Sequence, residues 1–205
     1  MAHATIADLR SHLRAAPPNK AWADKMLHPV PAAEVVDRVG LLCDLTRGKR
    51  VLDVGASGPM AAKLRAGAAA YTGWDRQASD GVDAVDLDDV TQPLPQVPGV
   101  EAIVCGELLE HLGNPRHFLT RLARQYPGVP VIVTVPNAFS EGARKHIVKG
   151  VESVNLDHVA WYSYHTLRTL LTRSGYCISS FVWYNGQPHT AEGLVVLAET
   201  TNGKT

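Results

Sequence analysis

Short apolar runs rich in β-branched residues alternate along the middle of the chain with segments whose apolar residues recur at helical spacing. The runs predict strands at residues 50–54, 70–74, 82–87, 102–105 and 129–135. The segments between them predict helices at residues 60–65, 114–125 and 164–174. Strands that alternate with helices are typical of βαβ units around a mainly parallel sheet, so the pattern predicts an α/β fold.

The two ends of the chain depart from this alternation. Residues 1–48 predict a helical segment, because apolar residues recur at helical spacing before Pro17 and again from residue 32 to about 46. Near the other end, strands are predicted at 176–184 and 193–199, and the short polar turn between them favours antiparallel pairing. We therefore predict an N-terminal helical segment over residues 1–48, one domain over 49–199 and a frayed tail over 200–205.

Composition and charge narrow the class of protein. The 205 residues are 45% hydrophobic, which is enough for one sizeable core. Lys and Arg number 20, as do Asp and Glu, and this neutrality makes nucleic acid an unfavourable partner. Without a signal pattern or an apolar run of membrane-spanning length, a cytoplasmic protein with no membrane span is expected. Cys43, Cys105 and Cys177 stand apart among apolar residues, and buried free thiols are expected.

A glycine-containing turn follows the first predicted strand, within residues 51–59. In open α/β sheets, ligands bind at the carboxyl ends of the strands. Gly55 and Gly58 allow a tight turn and a close approach of the backbone to a ligand. Asp53 is placed either to accept a hydrogen bond from a ligand amine or to orient the loop. The turn is a candidate ligand site, and a plain strand-to-helix turn is the alternative.

Acidic residues also follow the next two predicted strands. Asp75 comes directly after the second, where a carboxylate can accept hydrogen bonds from both hydroxyls of a ribose. Asp86 and Leu87 close the third, where the peptide edge and an apolar side chain suit a purine ring. These positions favour a ligand that contains a nucleoside, and solvated loop aspartates are the alternative.

The order of segments 51–59, 71–75, 86–87, 105–111 and 131–137 resembles that of the class I S-adenosylmethionine-dependent methyltransferases. The resemblance covers about residues 48–199. It implies a Rossmann-like seven-stranded sheet, mainly parallel with a C-terminal antiparallel hairpin, with helices on both faces and the N-terminal segment as a lid. The cofactor would be S-adenosylmethionine. The residues that would bind it are Asp53, Gly55, Ala56, Ser57, Gly58, Asp75, Arg76, Asp86, Leu87, Gly106 and Glu107.

One departure from the family pattern lies in the glycine-containing turn. The family commonly has glycine at the positions of Ser57 and Pro59. Proline lacks a backbone donor and is best accommodated at the start of a helix, so Pro59 is expected as the first helical residue. The loop should keep its function with an altered geometry.

Two carboxylates and an imidazole follow the fourth predicted strand, at Glu107, Glu110 and His111, and His158 lies in a later loop. Within the superfamily, this arrangement resembles the ubiquinone-pathway O-methyltransferases and the small-RNA 3′-terminal 2′-O-methyltransferases. Three interpretations stay open. The four residues could bind Mg²⁺ or Mn²⁺ and lower the pKa of an acceptor hydroxyl, they could act as metal-free catalytic acids and bases, or they could be structural.

The acceptor is less constrained than the cofactor. The resemblance and the neutral charge favour methyl transfer to a hydroxyl of a small molecule or carbohydrate, with His111, His158, Glu107 and Glu110 as the catalytic candidates. The alternatives are a metal-dependent RNA 2′-O-methyltransferase and a non-catalytic S-adenosylmethionine-binding protein. A nicotinamide-dependent oxidoreductase is disfavoured, because Gly55 and Gly58 do not have the Gly-x-Gly-x-x-Gly spacing.

Overall fold

The computed structural model describes residues 28–31 and 33–201. The chain divides after Pro31, and the description below concerns the second unit, Ala32–Thr205. The prediction of helix in residues 1–27 lies outside the described residues, as do residues 202–205 of the predicted tail. No helix in the described part of the chain is long and apolar enough to cross a membrane.

Eight strands form one mixed sheet. In chain order they are β1 (Val35–Val36), β2 (Arg50–Val54), β3 (Ala70–Asp75), β4 (Val82–Ala84), β5 (Ala102–Gly106), β6 (Val131–Pro136), β7 (Tyr176–Tyr184) and β8 (Gly193–Thr200). Their order across the sheet is β1-β7-β8-β6-β5-β2-β3-β4. Strands β2 to β6 pair in parallel, whereas β8 pairs antiparallel with both β6 and β7. The predicted α/β sheet with a C-terminal antiparallel hairpin is confirmed.

The sheet has one strand more than the seven expected, and that strand corrects the prediction of helix from residue 32. Val35 and Val36 pair in parallel with Trp183 and Tyr184 of β7. The helix begins only after Asp37, whose side chain accepts hydrogen bonds from the backbone of residues 39 and 40. The valines fit the helical spacing, but they form an edge strand because their backbone groups pair with β7, which is distant in sequence.

Five helices and one short 3₁₀ turn connect the strands. They are α1 (Arg38–Thr46), α2 (Gly58–Gly67), the 3₁₀ turn Leu109–His111, α3 (Pro115–Gln125), α4 (Glu141–Ile147) and α5 (Tyr164–Arg173). Helix α3 begins as its sequence predicts, because the Asn114 side chain accepts a hydrogen bond from the His117 amide. Helix α4 was not among the helices predicted from the sequence, and Ser140 caps it in the same way.

The core lies on both faces of the central strands. Successive residues of β2, β5 and β6 point to opposite faces and nearly all are buried, as expected for parallel strands covered by helices. On the face covered by α1 and α2, the core residues are Leu42, Val51, Leu64, Val104, Ile132, Tyr184 and Val195. The three cysteines are free thiols, but only Cys105 is buried; Cys177 is exposed on β7, which corrects the expectation that all three are buried.

Candidate functional site

The carboxyl ends of β2, β5 and β6 meet at one edge of the sheet and open into a cleft of about 510 Å³. The cleft is lined by Arg38, Val39, Asp53, Gly55, Ser57, Gly58, Pro59, Met60, Ala61, Lys63, Val104, Gly106, Glu107, His111 and Thr134. Six of the eleven residues predicted to bind the cofactor therefore lie on its wall. This cleft is the candidate cofactor site.

The loop between β2 and α2 forms one wall of the cleft. Gly55 has a φ of +79°, and a Cβ there would lie 3.0 Å from Cδ1 of Leu108, so only glycine fits without strain. The amides of Gly55 and Ala56 both donate to the carbonyl of Trp74, which ties the loop to β3. Pro59 is the second residue of α2, one position later than predicted, because the helix begins at Gly58.

Asp53 lies at the bottom of the cleft and has a partner within the protein. It is only 4% exposed and accepts a hydrogen bond of 2.7 Å from the Tyr71 hydroxyl. Burial raises the pKa of Asp53 to about 6, although the Tyr71 hydrogen bond acts in the opposite direction. Of the two roles considered for Asp53, this contact supports orientation of the strand end.

The predicted nucleoside-binding residues lie beyond the residues that line the cleft, on the next two strands. Asp75 ends β3 half-buried, and its side chain accepts from the Gln77 amide. Arg76 and Asp86 are exposed and Leu87 is buried. The strand expected to reach Leu87 ends at Ala84, but the Val85 amide donates to the Asp75 carbonyl at 2.7 Å and keeps the following segment beside β3.

Glu107 is held by three side chains that the sequence analysis did not identify. It has a φ of +50°, an uncommon conformation for a residue other than glycine. Its carboxylate accepts hydrogen bonds from Thr134 at 2.8 Å and from Tyr184 at 3.1 Å, and it forms a 3.0 Å ion pair with Arg38. Burial, and then the charge of Glu107, raise the pKa of Tyr184. Thr134 was detectable as a polar residue in an apolar run, whereas nothing in the sequence distinguished Arg38.

Glu110 is a buried carboxylate without a hydrogen-bonding partner. It is 1% exposed, and neither side-chain oxygen has a partner among the described residues. Burial, and secondly the charge of Glu107, raise the pKa of Glu110 to about 8. A buried, unpartnered carboxyl group is costly to the fold and is a common feature of functional sites.

The two predicted histidines lie beside Glu110. Possible metal-ligating atoms of Glu110, His111 and His158 all lie within 4.8 Å of one another. The two imidazole rings meet edge to face with their centres 4.6 Å apart, and Nδ1 of His111 lies 3.2 Å from a carboxylate oxygen of Asp157. Burial, and then the charge of His111, lower the pKa of His158. Glu107, the fourth predicted ligand, is not part of this cluster.

The loop that carries His158 is fastened to the turn that carries His111. The Val159 amide donates to the Glu110 carbonyl at 2.7 Å, and the Tyr162 hydroxyl donates to the Leu109 carbonyl at 3.2 Å. These bonds join segments that are distant in the chain. They fix the two imidazoles relative to each other.

A second cavity, of about 220 Å³, lies on the other side of the histidine pair. It is lined by Pro136, Asn137, Ser140, Ala143, Ser153, Val154, Asn155, His158, Ala160, Trp161, Tyr162 and Glu192. His111 lines the first cleft and His158 lines this cavity, so the pair stands between the two. Asn137 lines the cavity and also stabilises the fold, because its side-chain amide donates to the carbonyls of His189 and Ala191.

Comparison with known proteins agrees with this architecture. The sequence model of one family, described as a methyltransferase domain, matches residues 26–180. The chain belongs to this methyltransferase family. No curated protein sequence matches the chain significantly.

Solved structures of S-adenosylmethionine-dependent methyltransferases have the same fold. One from Archaeoglobus fulgidus is 13% identical, with a TM-score of 0.61 over 80% of this chain and 91% of that one. The N-methyltransferase NodS from Bradyrhizobium japonicum, solved with S-adenosylhomocysteine, is 16% identical, with a TM-score of 0.55 over 80% and 86%. The O-methyltransferase NcsB1 from neocarzinostatin biosynthesis is 17% identical, with a TM-score of 0.57 over 80% of this chain and 53% of that one.

The methyltransferase family and its fold confirm the resemblance that the motifs indicated. The structures of both NodS and NcsB1 contain S-adenosylhomocysteine. Because the structural neighbours include both N- and O-methyltransferases, the fold alone does not select the acceptor atom. Evidence on the acceptor atom comes from the residues between the cleft and the second cavity.

Proposed function

We propose that this methyltransferase transfers a methyl group to a hydroxyl of a small molecule or carbohydrate held in the second cavity. S-adenosylmethionine would occupy the cleft, and the cluster of Glu110, His111 and His158 would receive the proton of the hydroxyl. The observation that carries the proposal is the buried, unpartnered carboxyl group of Glu110 beside two imidazoles that separate the two cavities.

The cofactor would lie along the carboxyl edge of the sheet. The loop at Gly55–Gly58 would contact its methionine end, Asp75 its ribose and the segment at Asp86 and Leu87 its adenine. The Glu107 carboxylate faces the same cleft, where a negative charge favours binding of a sulfonium. Arg38 is placed to contact the cofactor carboxylate.

The transfer needs both alignment and proton removal. The bond from the acceptor oxygen to the methyl carbon forms as the bond from carbon to sulfur breaks, and the electron pair of that bond stays on sulfur in S-adenosylhomocysteine. The protein must hold the three atoms in line and exclude water. The hydroxyl proton passes to the His158 side of the cluster, because that imidazole lines the acceptor cavity.

The same three residues fit a divalent cation. Two imidazoles and a carboxylate whose oxygens lack partners form a donor set that suits Mn²⁺ better than Mg²⁺, which prefers oxygen ligands. The Asp157 carboxylate beside Nδ1 of His111 resembles the second partner that metal-binding histidines usually have. A bound cation would lower the pKa of the acceptor hydroxyl.

Size and charge support a small acceptor over RNA. The second cavity has a volume of about 220 Å³, and the chain has a formal net charge of zero. An RNA terminus would need positively charged groups along its phosphates.

Two measurements test the proposal. Calorimetry with S-adenosylhomocysteine tests the cleft, and absence of binding would exclude the donor assignment. Transfer of labelled methyl groups to a panel of phenols and sugars then tests the cluster. We expect Glu110→Gln to lose about a hundredfold or more in kcat while it retains affinity for S-adenosylhomocysteine, because glutamine can neither ligate a cation as a carboxylate does nor take on a proton passed from His158, as the ionised carboxylate can.

The exposed Glu199→Gln provides the matched control and should keep full activity. Full activity of Glu110→Gln would contradict the catalytic role of the cluster. Loss of activity with chelator and recovery with Mn²⁺ would establish the metal-dependent form of the proposal, and indifference to chelator the metal-free form.

A further inference from the structure

An apolar groove continues the second cavity along helix α4. Its volume is about 350 Å³, and it is lined by Ala138, Phe139, Ala143, Arg144, Ile147, Glu152, Ser153 and Trp161. Ala143, Ser153 and Trp161 also line the second cavity. The two depressions therefore meet at these three residues, and His158 lines the second cavity but not the groove.

The two ends of this surface differ in chemistry. The polar residues that line the cavity with His158 include Asn155, Ser140 and Glu192. Along α4, the walls are apolar, and three of the side chains are well exposed: Phe139 is 60%, Ile147 61% and Trp161 41% exposed. A ligand that crosses from one end to the other would contact polar groups first and apolar groups afterwards.

Exposure of large apolar side chains is concentrated in this segment. Of the nine exposed large apolar residues among those the structure describes, seven lie between residues 139 and 161. Helix α4 itself has no buried residue. A cluster of exposed apolar side chains beside a cavity is typical of a binding surface.

We propose that the acceptor is amphipathic, with a hydroxyl-bearing ring in the second cavity and an apolar substituent along the groove. This inference rests on the proposed function and specifies its substrate class. The continuity through Ala143, Ser153 and Trp161 makes the acceptor itself the occupant of the groove. Arg144 and Glu152 contribute one charge of each sign to the lining, so the substituent is uncharged.

Matched pairs of ligands test this inference by affinity. The probes are resorcinol against hexylresorcinol, and methyl β-D-glucoside against hexyl β-D-glucoside, each titrated with and without S-adenosylhomocysteine. We expect the hexyl member of at least one pair to bind at least tenfold more tightly, because affinity rises about tenfold for every two methylene groups that leave water. The two pairs distinguish a phenolic ring from a sugar.

Variants of the groove residues test whether the preference for hexyl ligands arises from the groove. Phe139→Ser and Ile147→Ser should remove most of the preference for the hexyl member, because both side chains line the groove. Val148→Ser is the matched control: Val148 follows Ile147 and is 82% exposed, but it does not line the groove. It should retain the preference.

Several results would overturn the inference. Equal affinity within both pairs, no binding of either hexyl compound, or a preference that persists in Phe139→Ser and Ile147→Ser would each do so. A change from dimer to monomer in these two variants, with the preference unchanged, would assign the groove to contact between copies of the chain. Failure of S-adenosylhomocysteine to bind would instead contradict the proposed function, because hexyl preference is also measured without it.

Discussion

The guanidinium of Arg38 lies 3.0 Å from the carboxylate of Glu107 and also stacks over the ring of Tyr184, 4.9 Å from its centre. Arg38 comes from the first turn of α1, Glu107 from the end of β5 and Tyr184 from the end of β7. The three residues bring one positive and one negative charge to the wall of the cofactor cleft. The cleft thus offers one charge of each sign to the proposed cofactor, which carries a carboxylate, an ammonium and a sulfonium group.

Replacement of Arg38 by methionine should weaken cofactor binding without unfolding the protein. Both partners of the ion pair are about 30% exposed, so loss of the pair should cost less than about 1 kcal/mol of folding free energy. Without the Arg38 guanidinium, the negative charge of Glu107 would repel the cofactor carboxylate. We expect calorimetry to show an affinity for S-adenosylhomocysteine about tenfold lower.

The matched control is Arg47→Met. Arg47 follows the same helix and pairs with Asp44 on the surface, and neither residue lines the cleft. The Arg47→Met variant should bind S-adenosylhomocysteine as tightly as the wild type does. An equal loss in both variants would contradict a specific role for Arg38.

Asp75→Ala tests the proposed ribose contact. Loss of a carboxylate that accepts from two ribose hydroxyls should lower cofactor affinity roughly tenfold to a hundredfold. Asp83→Ala removes an exposed carboxylate from the adjacent strand β4 and should leave affinity unchanged. The affinity of each variant for adenosine, which lacks the methionine part, identifies the affected end of the cofactor.

Gly193→Ala should disturb the cleft through Tyr184. Gly193 pairs directly with Tyr184, and a Cβ at Gly193 would overlap Cζ and the hydroxyl oxygen of the tyrosine. The ring would have to leave Glu107, so we expect a loss of about 1–3 kcal/mol in stability together with weaker cofactor binding. Urea unfolding and calorimetry measure the two effects.

Gly67→Ala is the comparison for this variant, because an added Cβ there has no neighbour within 4 Å. It should be close to wild type in both measurements. Unchanged cofactor affinity in Gly193→Ala would show that Tyr184 does not support Glu107.

Asp53→Asn should stabilise the protein at neutral pH. The pKa of Asp53 is raised by burial from 3.8 to about 6, so the folded state binds a proton more tightly than the unfolded state does. Stability is therefore lost as the pH rises from about 4 to 6, by roughly 3 kcal/mol in total. Asparagine carries no charge and its carbonyl oxygen can still accept from Tyr71, so the variant should not show this loss.

The measurement is urea unfolding of both proteins at about pH 4.5 and pH 7.5. The stability advantage of Asp53→Asn should grow with pH. The exposed Asp44→Asn should show no comparable change, and a pH-independent difference between Asp53→Asn and wild type would contradict the buried carboxylate as its cause.

The elements that the sequence predicted well are those with strong local signals. The apolar run at β2 ends at Gly55, and the polar turn between β7 and β8 leaves no room for a crossover helix, so both were predicted from nearby residues alone. Helix α3 was equally clear, because Asn114 and Pro115 mark its start. In each case the local preference and the tertiary environment agree.

The features that were missed depend on residues distant in sequence. Val35 and Val36 form a strand only because β7 offers a free edge, and helix α4 lacks the buried apolar stripe that identifies an amphipathic helix. At the site, the pattern around Glu107 and Glu110 predicted that both would be functional. It did not predict that Arg38 and Tyr184 bind the Glu107 carboxylate, or that Glu110 lies beside the histidines without a partner. Which carboxylate has partners is decided by tertiary packing.

The hydrogen bonds from the Val159 amide to the Glu110 carbonyl and from the Tyr162 hydroxyl to the Leu109 carbonyl separate two tasks within one protein. They hold His158, which follows residues 138–153 in the chain, against the turn that carries His111, so this stretch can be exchanged for another of different length and composition while the pair keeps its place. Substrate selectivity and methyl-transfer chemistry can then diverge independently. Transplanting this stretch between relatives offers a route to new acceptors on an unchanged donor site.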